Sequence, residues 1–449
     1  MNHAARPGPR RTTRRQFLAT SAAAAGAISF PLVVPSRAFG ANGRVNVAAI
    51  GAGGKGEVDI NGTKAAGGEI AFLCDVDSAR AAAMFKKYPS AKQYKDFRQM
   101  LEKEQKSIDA VIVSTPDHTH APAALMAMRM GKHVYVQKPL THTVHEARVL
   151  AQVAKEKKLA TQMGNQGHSD EGLRRNVELI RHGVLGKVTE AHVWTDRPIW
   201  PQGVSRPEGQ DPVPPTLDWD LFLGPAPQRP FKGGGVYHPF NWRGWWDYGT
   251  GALGDMACHC MDVVFFATQP GAPTALEAES AGGTDESPPK WSVIRYEFPA
   301  LKMTWYDGGK KPPAELVKRE KLAGNGVIMV GDKDTMYVPS YWGPGEFVSG
   351  AKVDDFEDVP QSLPRPRLKF DDGHYAEWID AIKGGPAPLS NFVDYSGPLT
   401  EAVLLGNVAI RAGKRIEWDS KNLKVTNVSD ANRFVRKQYR KGWEIEGLT

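Results

Sequence analysis

The sequence is poor in cysteine and in net charge. Its 449 residues include three cysteines, Cys74, Cys258 and Cys260, which are too few for a disulfide framework and lie in apolar segments typical of buried packing residues. The formal net charge is +7, but six arginines among the first 41 residues, which contain no acid, account for six of those charges. The rest of the chain is close to neutral, so neither nucleic acid nor a membrane surface is expected as a partner.

The sequence also has no apolar run long enough to span a membrane. Residues 13–18 read Thr-Arg-Arg-Gln-Phe-Leu and precede an alanine-rich, weakly apolar run that ends near Pro31 and Pro35. A membrane span needs roughly 20 apolar residues, and this run is shorter. The order of a twin arginine, a short apolar run and small residues is typical of a twin-arginine export signal. We therefore predict a signal peptide over residues 1–41 and a periplasmic or otherwise exported protein.

Residues 42–165 predict a Rossmann domain. Short runs of β-branched and small apolar residues alternate there with amphipathic helical segments, a pattern that indicates a parallel sheet covered by helices on both faces. The predicted strands are Val45–Ile50, Glu69–Cys74, Ala110–Ser114, His133–Val136 and Ala160–Met163.

A glycine motif follows the first predicted strand and precedes a helix. Residues 51–56 read Gly-Ala-Gly-Gly-Lys-Gly, the G-x-G-x-x-G pattern of dinucleotide-binding loops. Gly51 would permit the tight turn, Gly53 and Gly54 the approach of a pyrophosphate, and Gly56 the packing of helix on strand. Asp75, 19 residues beyond Gly56 at the end of the second strand, would accept hydrogen bonds from the adenosine ribose and repel a 2'-phosphate. NAD is therefore the expected cofactor.

Residues 166–449 do not continue the regular alternation of short strands and helices, and their pattern predicts a second α/β domain. A long strand is followed by a proline-rich loop, residues 195–240, and then by helices and short strands that look antiparallel. The basic stretch 433–441 is interpreted as a solvated tail. The predicted strands are Lys187–Trp194, Trp291–Phe298, Leu301–Tyr306, Val327–Gly331 and Thr335–Val338, and the predicted helices are Gly249–Thr268, His374–Lys383 and Ser396–Ala412.

Three motifs resemble those of the oxidoreductases related to glucose-fructose oxidoreductase, inositol dehydrogenase and the rhizopine catabolism protein (Gfo/Idh/MocA). Residues 136–139, Val-Gln-Lys-Pro, resemble the family's E-K-P signature, and residues 254–262 look like its D-x-x-x-H helix. Residues 114–120 match its strand-end loop beneath the nicotinamide ribose. The resemblance implies a large, open, mainly antiparallel C-terminal sheet that often forms dimers, and it implies cofactor contacts from Thr115, Pro116, His120, Gln137 and Lys138.

The resemblance also implies three catalytic residues, Lys138, Asp255 and His259, and their chemistry suits alcohol oxidation. Asp255 and His259 are four residues apart, so on a helix they share one face. His259 could be the base for a hydroxyl proton, Asp255 could orient its imidazole or bind a hydroxyl, and Lys138 could relay a proton. The alternatives are a core histidine and a Cys258-His259-Cys260 metal site; the latter is disfavoured because adjacent helix residues diverge, and no metal is expected. One departure is Gln137, where the family has glutamate.

Aromatic and polar residues before the predicted catalytic helix are candidates for a sugar site. Aromatic rings suit the apolar face of a sugar and polar groups its hydroxyls, although such clusters are more often core. The candidates are Trp242, Arg243, Tyr248 and Gln166, with Trp194, Arg197 and Trp200 from the long loop.

These observations favour an NAD-dependent oxidoreductase that acts on a sugar or polyol hydroxyl. Export removes the enzyme from the cytoplasmic NAD pool, so the cofactor should be tightly bound and recycled in place. An alternative with the same first step is an NAD-recycling glycosidase, which oxidises, eliminates, hydrates and reduces its substrate. A second alternative is a non-catalytic sugar-binding protein on the same fold.

Overall fold

The computed structural model describes residues 43–449, so the predicted signal peptide, residues 1–41, lies outside the described residues. The first sheet has six parallel strands in the order β3-β2-β1-β4-β5-β6. This order confirms the predicted Rossmann fold, in which a ligand binds at the carboxyl ends of the strands where the order reverses. The strands are β1 (Val45–Ile50), β2 (Gly68–Cys74), β3 (Lys92–Tyr94), β4 (Ala110–Val113), β5 (His133–Val136) and β6 (Thr161–Met163).

Helices cover both faces of this sheet, and local capping signals mark where two of them begin. Helix α5 begins after Thr143, whose hydroxyl accepts from the backbone N–H of Glu146 while the Glu146 carboxylate accepts from that of Thr143; this exchange satisfies two otherwise unpaired donors. Asp96 caps α3 in the same sense by accepting from the N–H of Arg98. The helices are α1 (Lys55–Ala65), α2 (Ala82–Lys87), α3 (Phe97–Glu104), α4 (Asp117–Arg129) and α5 (Val144–Lys157).

The second sheet has nine strands in the order β13-β12-β11-β7-β10-β9-β8-β14-β15. Among the described strands of this second sheet, only β7 and β10 pair in parallel, and the other pairs are antiparallel. The expected mainly antiparallel sheet is therefore confirmed. Its strands are β7 (Val188–Trp194), β8 (Ala275–Ala281), β9 (Trp291–Glu297), β10 (Lys302–Tyr306), β11 (Gly326–Gly331), β12 (Thr335–Val338), β13 (Glu346–Phe347), β14 (Ile416–Asp419) and β15 (Lys424–Val425).

The remaining helices belong to the C-terminal part of the chain. The segment predicted as one helix, Gly249–Thr268, forms two helices separated by Met261. No helix among residues 43–449 is long and apolar enough to cross a membrane. The helices are α6 (Glu171–Arg181), α7 (Trp219–Leu223), α8 (Gly251–Cys260), α9 (Asp262–Thr268), α10 (Phe370–Ile382) and α11 (Gly397–Ala412).

Two C-terminal segments return to the Rossmann domain. Helix α10 packs against α1 and buries Tyr375 and Trp378 in the same apolar cluster as β1, so the core of the first domain includes residues beyond 165. The tail also packs there: Lys437 Nζ lies 3.1 Å from Glu146 Oε1, and the Tyr439 hydroxyl donates to the same carboxylate. The interpretation of residues 433–441 as a solvated tail is therefore wrong for these two side chains, because their partner Glu146 is buried on α5.

Candidate active site

A cavity of about 470 Å³ extends from the glycine loop to helix α8. It lies at the carboxyl ends of β1, β2 and β4, where the Rossmann fold binds ligands. The cavity brings together most of the residues singled out in the sequence: Gly51, Gly53, Gly54, Lys55, Asp75, Thr115, Pro116, Gln137, Lys138, Gln166, Trp242, Arg243, Asp255 and His259.

The glycine loop has the shape that a dinucleotide pyrophosphate requires. A Cβ atom on Gly51 would lie 2.7 Å from the Ser114 carbonyl oxygen, and one on Gly56 would lie 1.8 Å from the Gly51 oxygen. Only glycine fits at these two positions. Gly53 and Gly54 line the cavity just before α1 begins at Lys55, so the helix N-terminus faces the space that the phosphates would fill.

Asp75 lies beside this loop and has the geometry to bind a ribose. Its Oδ2 accepts from the N–H of Gly53 at 2.9 Å and its Oδ1 from that of Asp77 at 2.9 Å. Burial raises the pKa of Asp75, while these backbone hydrogen bonds lower it. A carboxylate has further acceptor positions for ribose hydroxyls. The loop and Asp75 together fit NAD.

At the other end of the cavity, Lys138 and Arg243 hold Asp255. The Lys138 Nζ atom donates to Asp255 Oδ1 at 2.9 Å and to the Asp255 backbone oxygen at 2.6 Å, and Arg243 Nε donates to Oδ1 at 3.0 Å. Burial acts to raise the pKa of Asp255, but the two cations outweigh it and lower the pKa to about 2. Among the described residues, Asp255 makes no hydrogen bond with His259, so it orients Lys138 rather than the imidazole.

His259 faces the cavity as a neutral imidazole. Burial, and then the positive charge of Lys138, lower its pKa to about 3. Its Nδ1 atom is buried and has no hydrogen-bond partner among residues 43–449. A buried polar atom without a partner is costly, and a satisfied core histidine would have a hydrogen bond at this nitrogen. The alternative of a satisfied core histidine does not agree with this geometry.

His120 holds the site together without lining it. One ring nitrogen lies 2.8 Å from the Pro139 oxygen and the other 2.8 Å from the Thr115 oxygen, so His120 connects the strand-end loop to the segment of Lys138. Burial lowers its pKa to about 4. Thr115 and Pro116 line the cavity as expected. His120 does not line it, but contacts the backbone of Thr115 on the side away from the cavity.

Four of the substrate candidates lie outside the cavity: Tyr248, Trp194, Arg197 and Trp200. Tyr248 is fully buried, packed edge-on against Tyr237 and below the guanidinium of Arg229. Trp194 is also fully buried and donates its indole N–H to the Ala323 oxygen. Both are core residues, because the aromatic clusters around them exclude ligand. Trp242 and Arg243 do line the cavity, with the guanidinium 4.2 Å from the indole ring.

Several cavity residues were missed by the sequence reasoning. Asp117 follows Pro116 directly, and burial raises its pKa to about 7 although the Thr250 hydroxyl donates to it at 2.6 Å. Its place within the strand-end motif was the signal available. Phe222, His238 and Trp443 also line the cavity, but they come from the long loop and the tail, where no local pattern marks them.

Among residues 43–449, no group of three or more histidine, cysteine or acidic side chains is arranged to hold a metal. The three cysteines are free and buried. Burial raises the pKa of Cys258 to about 12, so its thiol is uncharged and packs as an apolar group.

The fold is a Rossmann domain joined to an α/β domain, and a glycine loop, a lysine, an aspartate and a histidine line the same cavity. These features define an NAD-binding oxidoreductase. Family models agree: residues 45–165 match the oxidoreductase family's NAD-binding Rossmann fold, and residues 179–312 match its C-terminal alpha/beta domain. The chain therefore belongs to the Gfo/Idh/MocA oxidoreductase family.

Curated relatives are similar over part of the chain. The inositol 2-dehydrogenase of Salmonella typhimurium is 30% identical over 128 residues, which are 28% of this chain and 38% of that protein. The NAD(+)-dependent scyllo-inositol 2-dehydrogenase of Bacillus subtilis is 28% identical over 151 residues, 34% of this chain and 41% of that protein. The match thus spans less than half the length of each relative.

A solved structure shares the fold over most of the chain. The WlbA dehydrogenase of Bordetella pertussis, solved with NADH and UDP-GlcNAcA, superposes with a TM-score of 0.60 and 16% identity, covering 84% of this chain and 99% of that one. At this identity the similarity establishes the fold alone.

Proposed function

We propose that this protein oxidises a hydroxyl group of a sugar or polyol, with His259 as the base. The observation that carries the proposal is that His259, whose Nδ1 atom has no hydrogen-bond partner among the described residues, lies in the same cavity as the glycine loop, Lys138 and Asp255. Bound NAD supplies the hydride acceptor for such an oxidation. An imidazole with a free nitrogen can accept the hydroxyl proton without first losing one of its own.

Lys138 is the second group that acts on the substrate oxygen. Its ammonium is held by Asp255, and an ammonium has three donors. Two of these are used by the Oδ1 and backbone oxygen of Asp255, which leaves one for a ligand in the cavity. That donor would hold the reacting oxygen and stabilise negative charge as its proton leaves.

The residues that line the cavity near Lys138 support a polyhydroxylated substrate. Trp242 supplies an aromatic surface, Arg243 and Gln166 supply polar groups, and all three line the cavity. This combination suits a polyhydroxylated ring, which has apolar faces and a rim of hydroxyls. The inositol dehydrogenases among the relatives act on compounds of that kind, as their names state.

The test is a substrate screen with NAD-loaded protein. Inositols, hexoses and chromogenic glycosides are added in turn, and reduced nicotinamide and products are measured, with His259→Ala as the control. Reduction that depends on His259 supports the oxidoreductase. Release of an aglycone without net reduction indicates the NAD-recycling glycosidase instead. Binding of a sugar without any turnover would refute catalysis and favour the binding protein.

We further propose that NAD is retained by the protein. The adenosine side of the cavity, marked by Asp75, is lined by Phe222 and His238 from the long loop and by Trp443 from the tail. His238 Nε2 lies 2.8 Å from Asp77 Oδ2, which ties the loop to the end of β2. Trp443→Ala should therefore speed NAD release in a stopped-flow chase, whereas Trp291→Ala, on strand β9, should not. Equal release rates would contradict retention by this cover.

Retained NAD agrees with export, which we propose from residues 13–18. A protein carried by the twin-arginine route is folded before transport, so the cofactor would be loaded in the cytoplasm. Arg14→Lys combined with Arg15→Lys should leave the protein in the cytoplasm with its NAD bound. Unchanged export of that variant in cell fractionation would refute the signal.

We propose, finally, self-association through the second sheet. On β10, Met303 and Trp305 are buried, whereas Lys302 is exposed and Thr304 and Tyr306 are half-buried on the other face. Light scattering should give a multiple of the monomer mass, reduced by Thr304→Arg. A monomeric wild type would refute this proposal.

A further inference from the structure

A buried carboxylate lies directly beneath the site. Asp59, on α1, is completely buried and accepts hydrogen bonds from three other parts of the fold. The donors are Ser114 Oγ at 2.6 Å, Tyr375 Oη at 2.7 Å, and Gln137 Nε2 at 2.9 and 3.0 Å from the two carboxylate oxygens. Lys55 Nζ, from the glycine loop, lies 3.3 Å away. A buried charge is tolerated when it is hydrogen-bonded and paired in this way.

Asp59 determines which end of the Gln137 amide faces it. An ionised carboxylate only accepts hydrogen bonds, so the amide nitrogen of Gln137 must point toward it. With the Gln166 amide oriented to satisfy both of its ends, the Gln166 oxygen lies 3.1 Å from the same nitrogen and accepts from it as well. Both hydrogens of the Gln137 amide then have acceptors. The remaining polar atom is Oε1, which accepts from the backbone N–H of Lys138 at 3.3 Å.

Gln137 therefore offers the cavity an acceptor, as a carboxylate at this position would. The Gln137 side chain is uncharged, and the negative charge lies on Asp59, which is buried beneath Gln137 and hydrogen-bonded to it. The space beside Gln137 is correspondingly tight, since a Cβ atom on Gly164 would lie 2.5 Å from its amide nitrogen. Rotation of the amide would also break both hydrogen bonds to Asp59.

We propose that Asp59 is a positioning residue that replaces the glutamate of the family's E-K-P signature. It carries the charge that a glutamate would carry at position 137, and it fixes Gln137 so that Oε1 accepts from a hydroxyl of bound NAD. The proposal rests on the NAD binding of the proposed function. Its direct consequence is that glutamate at position 137 conflicts with Asp59, because two carboxylates about 3 Å apart share a proton instead of both ionising.

The test is an exchange of the two groups, with NAD affinity measured by calorimetry. Gln137→Glu alone should weaken NAD about tenfold or more at pH 8, and the affinity should recover as the pH falls and one carboxyl takes up a proton. Asp59→Asn combined with Gln137→Glu has one carboxylate again. We expect this double variant to bind NAD within about threefold of the wild type, without the new pH dependence.

The control is Glu69→Gln, which removes an exposed carboxylate paired with Lys64 and should leave NAD affinity unchanged. Thermal unfolding of each variant is measured in parallel. Should Gln137→Glu fail to fold, recovery of folding and NAD binding by the added Asp59→Asn supports the exchange. Wild-type affinity in Gln137→Glu at every pH, or a double variant no better than Gln137→Glu, overturns it. A wild type that does not bind NAD would overturn the proposed function as well.

Discussion

The carboxylate of Asp255 is predicted to stabilise the fold through Lys138 and Arg243, and Asp255→Asn removes that charge with little change of shape. The pKa of Asp255 is lowered from 3.8 to about 2 by the two cations, against the opposing effect of burial. At about 1.4 kcal/mol for each pKa unit, the carboxylate contributes roughly 2 kcal/mol to the free energy of unfolding at pH 7. Only 14% of the side chain is exposed, so solvent screening reduces this contribution little.

The sign of the pH dependence follows from the same shift. The pKa of Asp255 is lower in the folded chain than in the unfolded chain. The full contribution to the free energy of unfolding is therefore present when the pH is about one unit or more above 3.8, the unfolded pKa. It is lost as the pH falls from there through about 2. The destabilisation by Asp255→Asn should therefore be largest near neutrality and should shrink in acid.

The assay is urea unfolding of the apoprotein, followed by tryptophan fluorescence at pH 7 and at about pH 3, which lies between the folded and unfolded pKa of Asp255. Glu297→Gln is the matched control: it breaks an exposed pair, at 2.6 Å from Arg415, and pairs of that kind contribute less than about 1 kcal/mol. An Asp255→Asn variant as stable as the wild type at pH 7, or equally destabilised at both pH values, would refute this reasoning.

Three further predictions concern catalytic activity and cofactor affinity. His259→Ala and Lys138→Met should each reduce turnover about 100-fold or more while NAD affinity stays within about threefold, since both groups act on the substrate hydroxyl; a variant that keeps a tenth of the rate would contradict those roles. Asp75→Ala should weaken NAD and narrow its advantage over NADP in calorimetry, and a wild type that prefers NADP would contradict the assignment. Burial raises the pKa of Asp117 to about 7, so kcat/KM should rise through about pH 7 as the carboxylate of Asp117 becomes charged near Lys138. If the same inflection persists in Asp117→Asn, Asp117 is not the group that causes it.

Periodicity and glycine spacing predicted five of the six strands of the first sheet. The predicted strand Val45–Ile50 agrees with β1 at both ends, and the strand predicted to end at Cys74 does end there. Strand β3, Lys92–Tyr94, was missed because it is a short edge strand with two exposed residues and no apolar alternation. Strand β8 was missed for a related reason, since most of its side chains are exposed or half-buried and several are polar.

The candidate site was predicted where its chemistry is local to a motif. Lys138, Asp255 and His259 lie in short patterns, and the cavity contains all three. Contacts between distant segments left no such pattern. Asp59 resembles any polar helix residue until its four partners are seen, and Tyr248 resembles a sugar-binding aromatic until its burial shows a core ring.

The most direct test of the oxidoreductase is a single-turnover experiment without free NAD. Protein loaded with NAD and dialysed is mixed with the best substrate of the inositol and sugar screen, and reduced nicotinamide is recorded by near-ultraviolet absorbance for the wild type and for His259→Ala. We expect rapid reduction of the bound cofactor in the wild type and reduction slowed about 100-fold or more in the variant. Equal rates in the two proteins, or no reduction by any polyol or sugar, would contradict it.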